Sequence, residues 1–309
     1  MITTVTLNAS IDKAYFMKES IENGTVMRVD TVRNTAGGKG LNVARAAKAC
    51  GEAVKATGMV GGYNGKYLLS LLDKDGVPHE FVEIQGETRS CINILDPKYA
   101  STEYLEPGCA ITEEEEAVFE EHFPEIIADS EVVTISGSIP KGMKRDIYYR
   151  MILQAKELGK QVILDTSGDL LEQGMAALPT MIKPNQDEMA LLFHRRIENR
   201  QEVIKCAVDL HKRGIPYVVI SLGGDGALLV CDKGIIHGKP PKVKVVNTVG
   251  CGDSMVGAFA VALKRGYVPE QMMRFAVAVA TANALSPNTG DVKASVYEEL
   301  LDKVIIEWI

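Results

Sequence analysis

The most informative stretch of this 309-residue chain is Val246-Asn-Thr-Val-Gly-Cys-Gly-Asp-Ser-Met-Val-Gly-Ala-Phe-Ala-Val-Ala-Leu263. It passes from β-branched residues through a turn, Gly250-Cys-Gly-Asp253, into an apolar segment rich in alanine and glycine. This order predicts a strand or loop, then a tight turn, then a buried helix. Glycine lets the backbone turn sharply and approach a ligand closely. The free N–H groups and the positive dipole end of a helix start favour a bound anion.

An acidic residue, Asp253, lies at that same turn. A carboxylate beside an anion-binding turn suits a general base that takes a proton while the turn stabilises charge on a phosphoryl group. The alternative is structural, with Asp253 capping a helix and the glycines forming an ordinary turn. This stretch by itself leaves both interpretations open.

Composition narrows the class of protein. Hydrophobic residues make up 46% of the chain, which is enough for a sizeable core, and the net charge of −7 argues against a nucleic-acid surface. The six cysteines contain no C-x-x-C pair, which argues against zinc and for reduced cytosolic thiols. The chain opens with a predicted strand, without a signal peptide, and no apolar run is long enough to span a bilayer. We therefore expect a soluble cytoplasmic protein.

The order of predicted elements indicates the fold class. Strands and helices alternate from about residue 36, which predicts an α/β fold with a mostly parallel central sheet covered on both faces. Residues 13–33 lack a helical period, so we expect a small β excursion there, helped by 89–104. Near the C-terminus we expect a strand at Lys242–Val246 and a last helix at Ser295–Ile306. No repeat or linker divides residues 1–309, which predicts a single domain.

Two N-terminal features resemble parts of a binding site. Asp12 follows the predicted strand Ile2–Leu7, at the end of a strand where α/β sheets place ligand-binding groups. Gly37-Gly-Lys-Gly-Leu-Asn42 is a glycine turn that leads into a helix, with Lys39 as a point charge. The turn indicates an anion or polyol site, although it is not a Walker A loop. For Asp12, an ordinary turn after a strand is the alternative.

Four further segments follow predicted strands or turns and have both structural and functional interpretations. They are Thr88-Arg89, Ser136-Gly-Ser138, Lys183-Pro-Asn-Gln-Asp-Glu188 and Ser221-Leu-Gly-Gly-Asp-Gly226. Arg89 is either a phosphate clamp or a solvated residue at a strand end. Asn185 and Glu188 form either a capping box or part of a site in which Glu188 holds Mg²⁺. Asp165 is an acid at the carboxyl end of another predicted strand.

These motifs, taken in this order, resemble those of the PfkB, or ribokinase-like, family of carbohydrate kinases over essentially the full chain. Within the family the chain is similar to the hexose-phosphate branch, on the marks Gly-Gly-Lys-Gly-Leu-Asn, Thr-Arg and Asp165-Thr-Ser-Gly168. The resemblance implies a three-layer fold with a small β lid, formed by about 13–33 and 89–104. It also implies a cytoplasmic enzyme that uses ATP and Mg²⁺ and pairs with a second copy through the lids.

The resemblance implies a role for each matched position. Asp253 would be the base for the acceptor hydroxyl, and the N–H groups of Gly250, Cys251 and Gly252 would stabilise the phosphoryl group. Six residues would bind the sugar phosphate: Asp12, Gly38, Lys39, Asn42, Arg89 and Ser138. Six others would lie around ATP: Lys183, Asn185, Ser221, Gly223, Gly226 and Asn283. Glu188 would lie near Mg²⁺.

The implied reaction is ATP-dependent phosphorylation of a ketohexose phosphate, either tagatose 6-phosphate or fructose 1-phosphate, to the bisphosphate. Another sugar, such as fructose 6-phosphate, is the alternative within kinases, and a non-catalytic sugar-phosphate sensor is the alternative outside them. A nicotinamide-dependent dehydrogenase is disfavoured because no G-x-G-x-x-G follows a strand. The sequence leaves open whether Arg28 reaches a sugar phosphate in its own subunit or in the neighbouring one.

Overall fold

The computed structural model describes residues 1–98 and 101–309. Its strands are β1 (Ile2–Thr6), β2 (Ser10–Phe16), β3 (Thr31–Gly37), β4 (Val54–Gly61), β5 (His79–Ile84), β6 (Arg89–Leu95), β7 (Thr102–Leu105), β8 (Val132–Ser136), β9 (Gln161–Asp165), β10 (Met181–Ile182), β11 (Tyr217–Ser221), β12 (Ala227–Cys231), β13 (Gly234–Lys239) and β14 (Ile305–Trp308). Its helices are α1 (Lys39–Ala49), α2 (Gly62–Asp75), α3 (Glu113–Ile126), α4 (Ile147–Glu157), α5 (Gly168–Met175), α6 (Gln186–Leu192), α7 (Arg200–Lys212), α8 (Cys251–Lys264), α9 (Pro269–Ala284) and α10 (Ala294–Leu301).

Ten strands form the main sheet, in the spatial order β14-β13-β12-β11-β10-β9-β8-β1-β4-β5. The strands from β5 to β11 pair in parallel, whereas β11 to β14 pair antiparallel at one edge. Strand β1 lies between β8 and β4, so the carboxyl ends of these three parallel strands lie next to one another. This arrangement confirms the predicted mostly parallel α/β sheet, and it gathers several strand ends around one cleft.

Helix layers cover both faces of the main sheet. Along β1 the buried side chains alternate between the two cores, with Ile2 facing one and Val5 facing the other. Helix α8 is buried from Asp253 to Leu263 and packs against α1 and α9, as its alanine-rich sequence predicted. A Cβ atom at Gly257 would lie 2.9 Å from the Val43 carbonyl oxygen, so glycine is what permits the close approach of α8 to α1.

A second sheet of four strands, in the order β3-β2-β6-β7, stands apart from the main sheet. It continues directly from β1 through β2 and returns to the main layers through β3 and α1. Its strands overlap the predicted β excursion but begin at Ser10 and run on to Gly37. Within 89–104, Tyr99 and Ala100 lie outside the described residues. Several of its apolar side chains face solvent, among them Val32, Tyr104 and Leu105.

Two predictions near the C-terminus are wrong. Residues 242–246 form no strand, because the N–H groups of Val246 and Asn247 donate to the Ala284 carbonyl at the end of α9 rather than to a neighbouring strand. The last helix ends at Leu301, and β14 then pairs antiparallel with β13. The β-branched run Val304-Ile-Ile306 favours a strand at this sheet edge.

Candidate active site

A cleft of about 1430 Å³ lies between the small sheet and the carboxyl ends of β1, β8 and β9. Eight of the predicted site residues line it: Asp12, Gly38, Lys39, Asn42, Arg89, Ser138, Gly250 and Asp253. These residues come from the two sheets and from the starts of α1 and α8. The fold therefore brings together side chains that are up to 241 positions apart, Asp12 and Asp253 being the two extremes.

The glycine turn before α8 has the geometry that the sequence predicted. Gly250 is the N-cap of α8 in a left-handed conformation with φ of 79°, and a Cβ atom there would lie 2.5 Å from Thr289 Cγ2. The N–H groups of Cys251 and Gly252 belong to the first turn of α8, which lacks intrahelical acceptors, and the Cys251 N–H donates a long hydrogen bond of 3.3 Å to the Thr248 carbonyl in the preceding loop. An anion at this helix start would meet these donors and the positive end of the helix dipole.

Asp253 lies in the first turn of α8 and is 8% exposed. Its Oδ2 accepts a hydrogen bond of 2.7 Å from Asn42 Nδ2 on α1. Burial raises the pKa of Asp253 to about 6, and the negative charge of Asp165 acts in the same direction. Lys39, the Asn42 hydrogen bond and Lys183 oppose this rise. The pKa of this carboxyl group is therefore closer to neutral pH than that of an exposed aspartate, as suits a general base.

The Asp165 carboxylate forms ion pairs with two lysines whose charges also act on Asp253. Lys39 Nζ lies 3.5 Å from Asp165 Oδ2, and Lys183 Nζ lies 3.2 Å from Asp165 Oδ1. Burial alone lowers the pKa of Lys39, but the carboxylates of Asp165, Asp253 and Glu188 together raise it. The sequence signalled Asp165 only as an acid at the end of a buried strand, and this pairing between motifs far apart in the chain was missed.

The predicted sugar-binding residues lie at the small-sheet end of the cleft. Asp12 Oδ1 accepts from Ser10 Oγ at 2.7 Å, and burial raises the pKa of Asp12. Asn8 Nδ2 lies 3.3 Å from Ser138 Oγ. Gly38 has φ of 120°, and a Cβ atom there would lie 2.5 Å from Thr6 Cγ2, so the turn before α1 requires glycine.

Arg89 forms hydrogen bonds to the protein backbone that the sequence did not indicate. Its Nε and Nη2 donate to the Asn8 carbonyl at 3.2 and 2.9 Å, and its Nη1 donates to the Glu106 carbonyl at 2.8 Å. A guanidinium group carries five N–H donors, so two of them stay available to a ligand. Arg89 thus ties the small sheet to the end of β1 while still lining the cleft.

The predicted nucleotide-binding residues lie beyond this cleft, along β10 and β11. Asn185 and Ser221 form an isolated parallel bridge, which places the start of α6 beside the turn that follows β11. That turn contains a short 3₁₀ segment, Gly223–Asp225, closed by a hydrogen bond of 2.8 Å from Leu222 N to the Gly226 carbonyl. Lys183 connects this region to the cleft, because its Nζ reaches Asp165 and lies near Gly252.

Asn283, which is predicted to lie around ATP, contacts the glycine turn that precedes α8. It is fully buried in α9, where its Nδ2 donates to the Val249 carbonyl at 3.0 Å and lies 3.3 Å from Cys251 Sγ. Its Oδ1 accepts from Gly290 N at 2.8 Å. Both ends of the amide are therefore used to hold the backbone around the glycine turn, and the side chain supports the anion-binding turn from beneath.

Both structural and functional interpretations of Glu188 remain compatible with its position. Its Oε2 accepts from Asn185 N at 2.9 Å, and its own N–H donates to Asn185 Oδ1, which is the predicted capping box. Among the described residues no group of three or more His, Cys, Asp or Glu side chains is placed to hold a metal ion. A single carboxylate suits Mg²⁺ that arrives coordinated by substrate phosphates and water.

The fold and the site define the class of ribokinase-like kinases. The chain belongs to the family described as pfkB family carbohydrate kinase, whose model matches residues 5–295. It is 36% identical to a tagatose-6-phosphate kinase of Staphylococcus epidermidis, with 98% of each chain covered. The crystal structure of phosphofructokinase-2 from Escherichia coli in complex with potassium superposes with a TM-score of 0.92 at 34% identity, covering 98% of each chain.

A further structural relative is a possible 1-phosphofructokinase of Thermotoga maritima, with a TM-score of 0.91 at 26% identity over 100% of this chain and 99% of that one. These relatives therefore have three different kinase names, although they resemble one another in fold. They agree with the prediction of a kinase. Within residues 1–98 and 101–309, no helix is long and apolar enough to cross a membrane.

Proposed function

We propose that the protein transfers the γ-phosphoryl group of ATP to a hydroxyl of a ketohexose phosphate, either tagatose 6-phosphate or fructose 1-phosphate, and releases the bisphosphate. The observation that carries this proposal is the buried Asp253 carboxylate at the anion-binding start of α8, in a cleft that also contains Lys39 and Arg89. The tagatose-6-phosphate kinase and the possible 1-phosphofructokinase among its relatives support this substrate class.

In this mechanism Asp253 accepts the proton of the acceptor hydroxyl as that oxygen attacks the γ-phosphorus. The first N–H groups of α8, from Gly250 to Gly252, donate to the phosphoryl oxygens as charge develops on them. Lys39 lies between Asp165 and Asp253 and adds a positive charge beside the transferred group. Positioning and charge stabilisation supply most of the catalysis in phosphoryl transfer of this kind.

The sugar phosphate would lie at the small-sheet end of the cleft, where Asp12, Asn42 and Ser138 face the polyol. Arg89 and Lys39 would bind its existing phosphate, since a planar guanidinium and an ammonium both suit phosphate oxygens. ATP would extend from the start of α8 toward Lys183, Asn185, Ser221, Gly223 and Gly226. Glu188 would hold Mg²⁺ brought by the nucleotide, and the ion would neutralise charge on the ATP phosphates.

Two alternatives differ in what they predict for turnover. Fructose 6-phosphate is favoured by the likeness to a phosphofructokinase-2, and a non-catalytic sensor would bind sugar phosphate without transfer. Coupled assays of ADP formation with tagatose 6-phosphate, fructose 1-phosphate and fructose 6-phosphate separate them. We expect the highest kcat/KM with one of the first two. Preference for fructose 6-phosphate would identify the first alternative, and binding without turnover would identify the sensor.

Activity should depend on pH through Asp253. The base must be ionised, and the pKa of Asp253 in the free enzyme is raised to about 6, so we expect kcat/KM for the sugar phosphate to fall about tenfold for each unit of pH below that value. Between about pH 7 and 8 this group is ionised and should cause no further change. Initial rates at subsaturating sugar phosphate from pH 5 to 8 measure this limb. A flat profile between pH 5 and 7 would contradict the role of Asp253 as base.

The small sheet is proposed to act as a lid over the sugar and to join two copies of the chain. By strand register, Val32 and Tyr104 lie on one face of this sheet, and they are 55% and 59% exposed in the single chain. A four-stranded sheet with an uncovered apolar face gains stability by packing against a second copy. Closing over the sugar would exclude water from the transfer.

The six free cysteines fit a reducing, cytoplasmic setting.

We expect light scattering at micromolar concentration to give the mass of a dimer or of a larger assembly built from it. A fully active monomer would contradict the interface.

For the lid, we expect amides in 13–33 to gain protection from hydrogen exchange when a sugar phosphate and an inert ATP analogue are bound. Helix α3, none of whose residues lines the cleft, serves as the internal control. Equal exchange with and without bound ligand would show that the small sheet does not close.

A further inference from the structure

Asn42 is held between two groups of opposite charge. It is the fourth residue of α1, and its Nδ2 donates to Asp253 Oδ2 at 2.7 Å. On its other side, its Oδ1 accepts from Arg45 Nη1 at 3.0 Å. Residues 42 and 45 are three positions apart on one helix, which places their side chains on the same face. Arg45 forms no hydrogen bond or ion pair with Asp253 itself; its partners are Asn42, Asp75 and the Ala36 carbonyl.

The two ends of an asparagine amide are nearly equal in size but opposite in hydrogen bonding. An ionised carboxylate only accepts hydrogen bonds, and a guanidinium group only donates them. If the amide of Asn42 rotated by half a turn, its oxygen would face the Asp253 carboxylate and its NH₂ group would face the Arg45 guanidinium. Both contacts would then be repulsive, so the pair of charged neighbours selects one orientation.

Arg45 is itself fixed in place. Its Nε lies 3.1 Å from Asp75 Oδ2 at the end of α2, and its Nη2 donates to the Ala36 carbonyl at the end of β3. Arg45 is 15% exposed, so these partners act in a largely desolvated setting. The chain of contacts runs from Asp75 through Arg45 and Asn42 to Asp253, and it links α2, α1 and α8.

We propose that Arg45 is a positioning residue for phosphoryl transfer, which fixes the amide of Asn42 so that its NH₂ group holds the Asp253 carboxylate toward the acceptor hydroxyl. This inference rests on the proposed function of Asp253 as the base. Arg45 acts on Asp253 through Asn42, and its positive charge also favours the ionised form of Asp12 at the small-sheet end of the cleft. We expect its removal to lower kcat by a larger factor than it raises either KM.

A double-mutant cycle tests this path. Arg45→Met keeps the aliphatic stem and removes every donor, and we expect it to lower kcat about tenfold with both KM values within threefold. In an Asn42→Ala background the same change should alter kcat by less than twofold, because the group through which Arg45 acts is already absent. An equal loss in both backgrounds, or a single variant within twofold of the parent, would overturn the proposal.

The pH profile separates positioning from a general loss of structure. The groups that face Asp253 are Lys39, Lys183, Asp165 and Asn42. A rotated amide no longer donates to the carboxylate, so the charged form of Asp253 is less stabilised and the acidic limb of kcat/KM should move to higher pH. Asn42→Ala should move it in the same direction. A lower kcat with an unmoved limb in Arg45→Met would show a structural effect and overturn the proposal.

The controls keep the outcome decisive. Lys48→Met removes another cation of α1, one whose Nζ donates to the Asp75 carbonyl, and should leave kcat within twofold of the parent. If Arg45→Met fails to fold, Arg45→Gln replaces it in the same cycle, since a neutral amide does not select one orientation of Asn42. If the parent transfers no phosphoryl group to any of the sugar phosphates, the proposed function fails, and this is seen before any variant is made.

Discussion

Asp253→Asn is expected to lower kcat by about 10²–10⁴ while leaving the fold and nucleotide binding in place, because a positioned general base contributes a factor of this size. Asparagine matches the size of aspartate and can still accept from Asn42 Nδ2, so the hydrogen bond of 2.7 Å has a replacement acceptor. What is lost is the ability to take a proton. Single-turnover phosphoryl transfer and calorimetric titration with an ATP analogue measure the two properties separately.

The matched control for this variant is Asp129→Asn, the same chemical change at an exposed position. We expect it to keep the activity of the parent. Transfer by Asp253→Asn within twofold of the parent would remove Asp253 from the mechanism. Loss of both transfer and nucleotide binding would instead show that Asp253 maintains the helix start, which is the structural interpretation of the same residue.

The raised pKa of Asp253 also predicts the sign of a stability change. Burial raises the folded-state pKa from the ordinary 3.8 to about 6, so between these values the folded protein binds the proton more tightly than the unfolded chain. Stability from this group is therefore lost as the pH rises through that range. Asp253→Asn removes the buried charge, and we expect its Tm at pH 8 to equal or exceed that of the parent. Such a gain is typical of a site that trades stability for function.

The sequence predicted those parts of the site that depend on local patterns. The turn before α8 follows from Gly250 and Gly252, because only a few backbone conformations join a loop to a helix so sharply. The capping box at Asn185 and Glu188 follows from their spacing alone. Asp12 could be found because it follows the buried strand β1, and the carboxyl ends of such strands meet at one edge of the sheet, although Asp12 itself lies within β2.

The parts that were missed depend on contacts between distant segments. The Asp165 carboxylate forms ion pairs with Lys39 and Lys183, and nothing near Asp165 in the chain indicates those partners. The hydrogen bonds of Asn283 to the Val249 carbonyl and the Gly290 N–H also join distant segments, and no local pattern indicates them. The last helix was predicted to continue to Ile306, but Ile305–Trp308 form β14, because pairing with β13 at the sheet edge decides this segment.

Arg89→Ala is expected to raise the KM for the sugar phosphate by about 30- to 150-fold and to leave the KM for ATP within threefold. Loss of a charge-assisted hydrogen-bonded clamp corresponds to about 2–3 kcal/mol. The structure shows why the effect needs careful measurement. Three N–H groups of Arg89 already hold the carbonyls of Asn8 and Glu106, so the alanine variant also loosens the small sheet. Binding of phosphate and anchoring of the sheet must therefore be told apart.

The unphosphorylated sugar makes this distinction, because it needs the closed sheet but presents no phosphate to Arg89. If Arg89 binds the phosphate, Arg89→Ala should lower kcat/KM for the sugar phosphate far more than for the free sugar, and the preference between the two should shrink. If Arg89 only anchors the sheet, both values should fall by the same factor. Arg145→Ala, at an exposed position, serves as the matched control and should change neither. An equal fall for both substrates, or an equal rise in the KM for ATP, would show that Arg89 is a structural anchor of the small sheet rather than a ligand of the sugar phosphate.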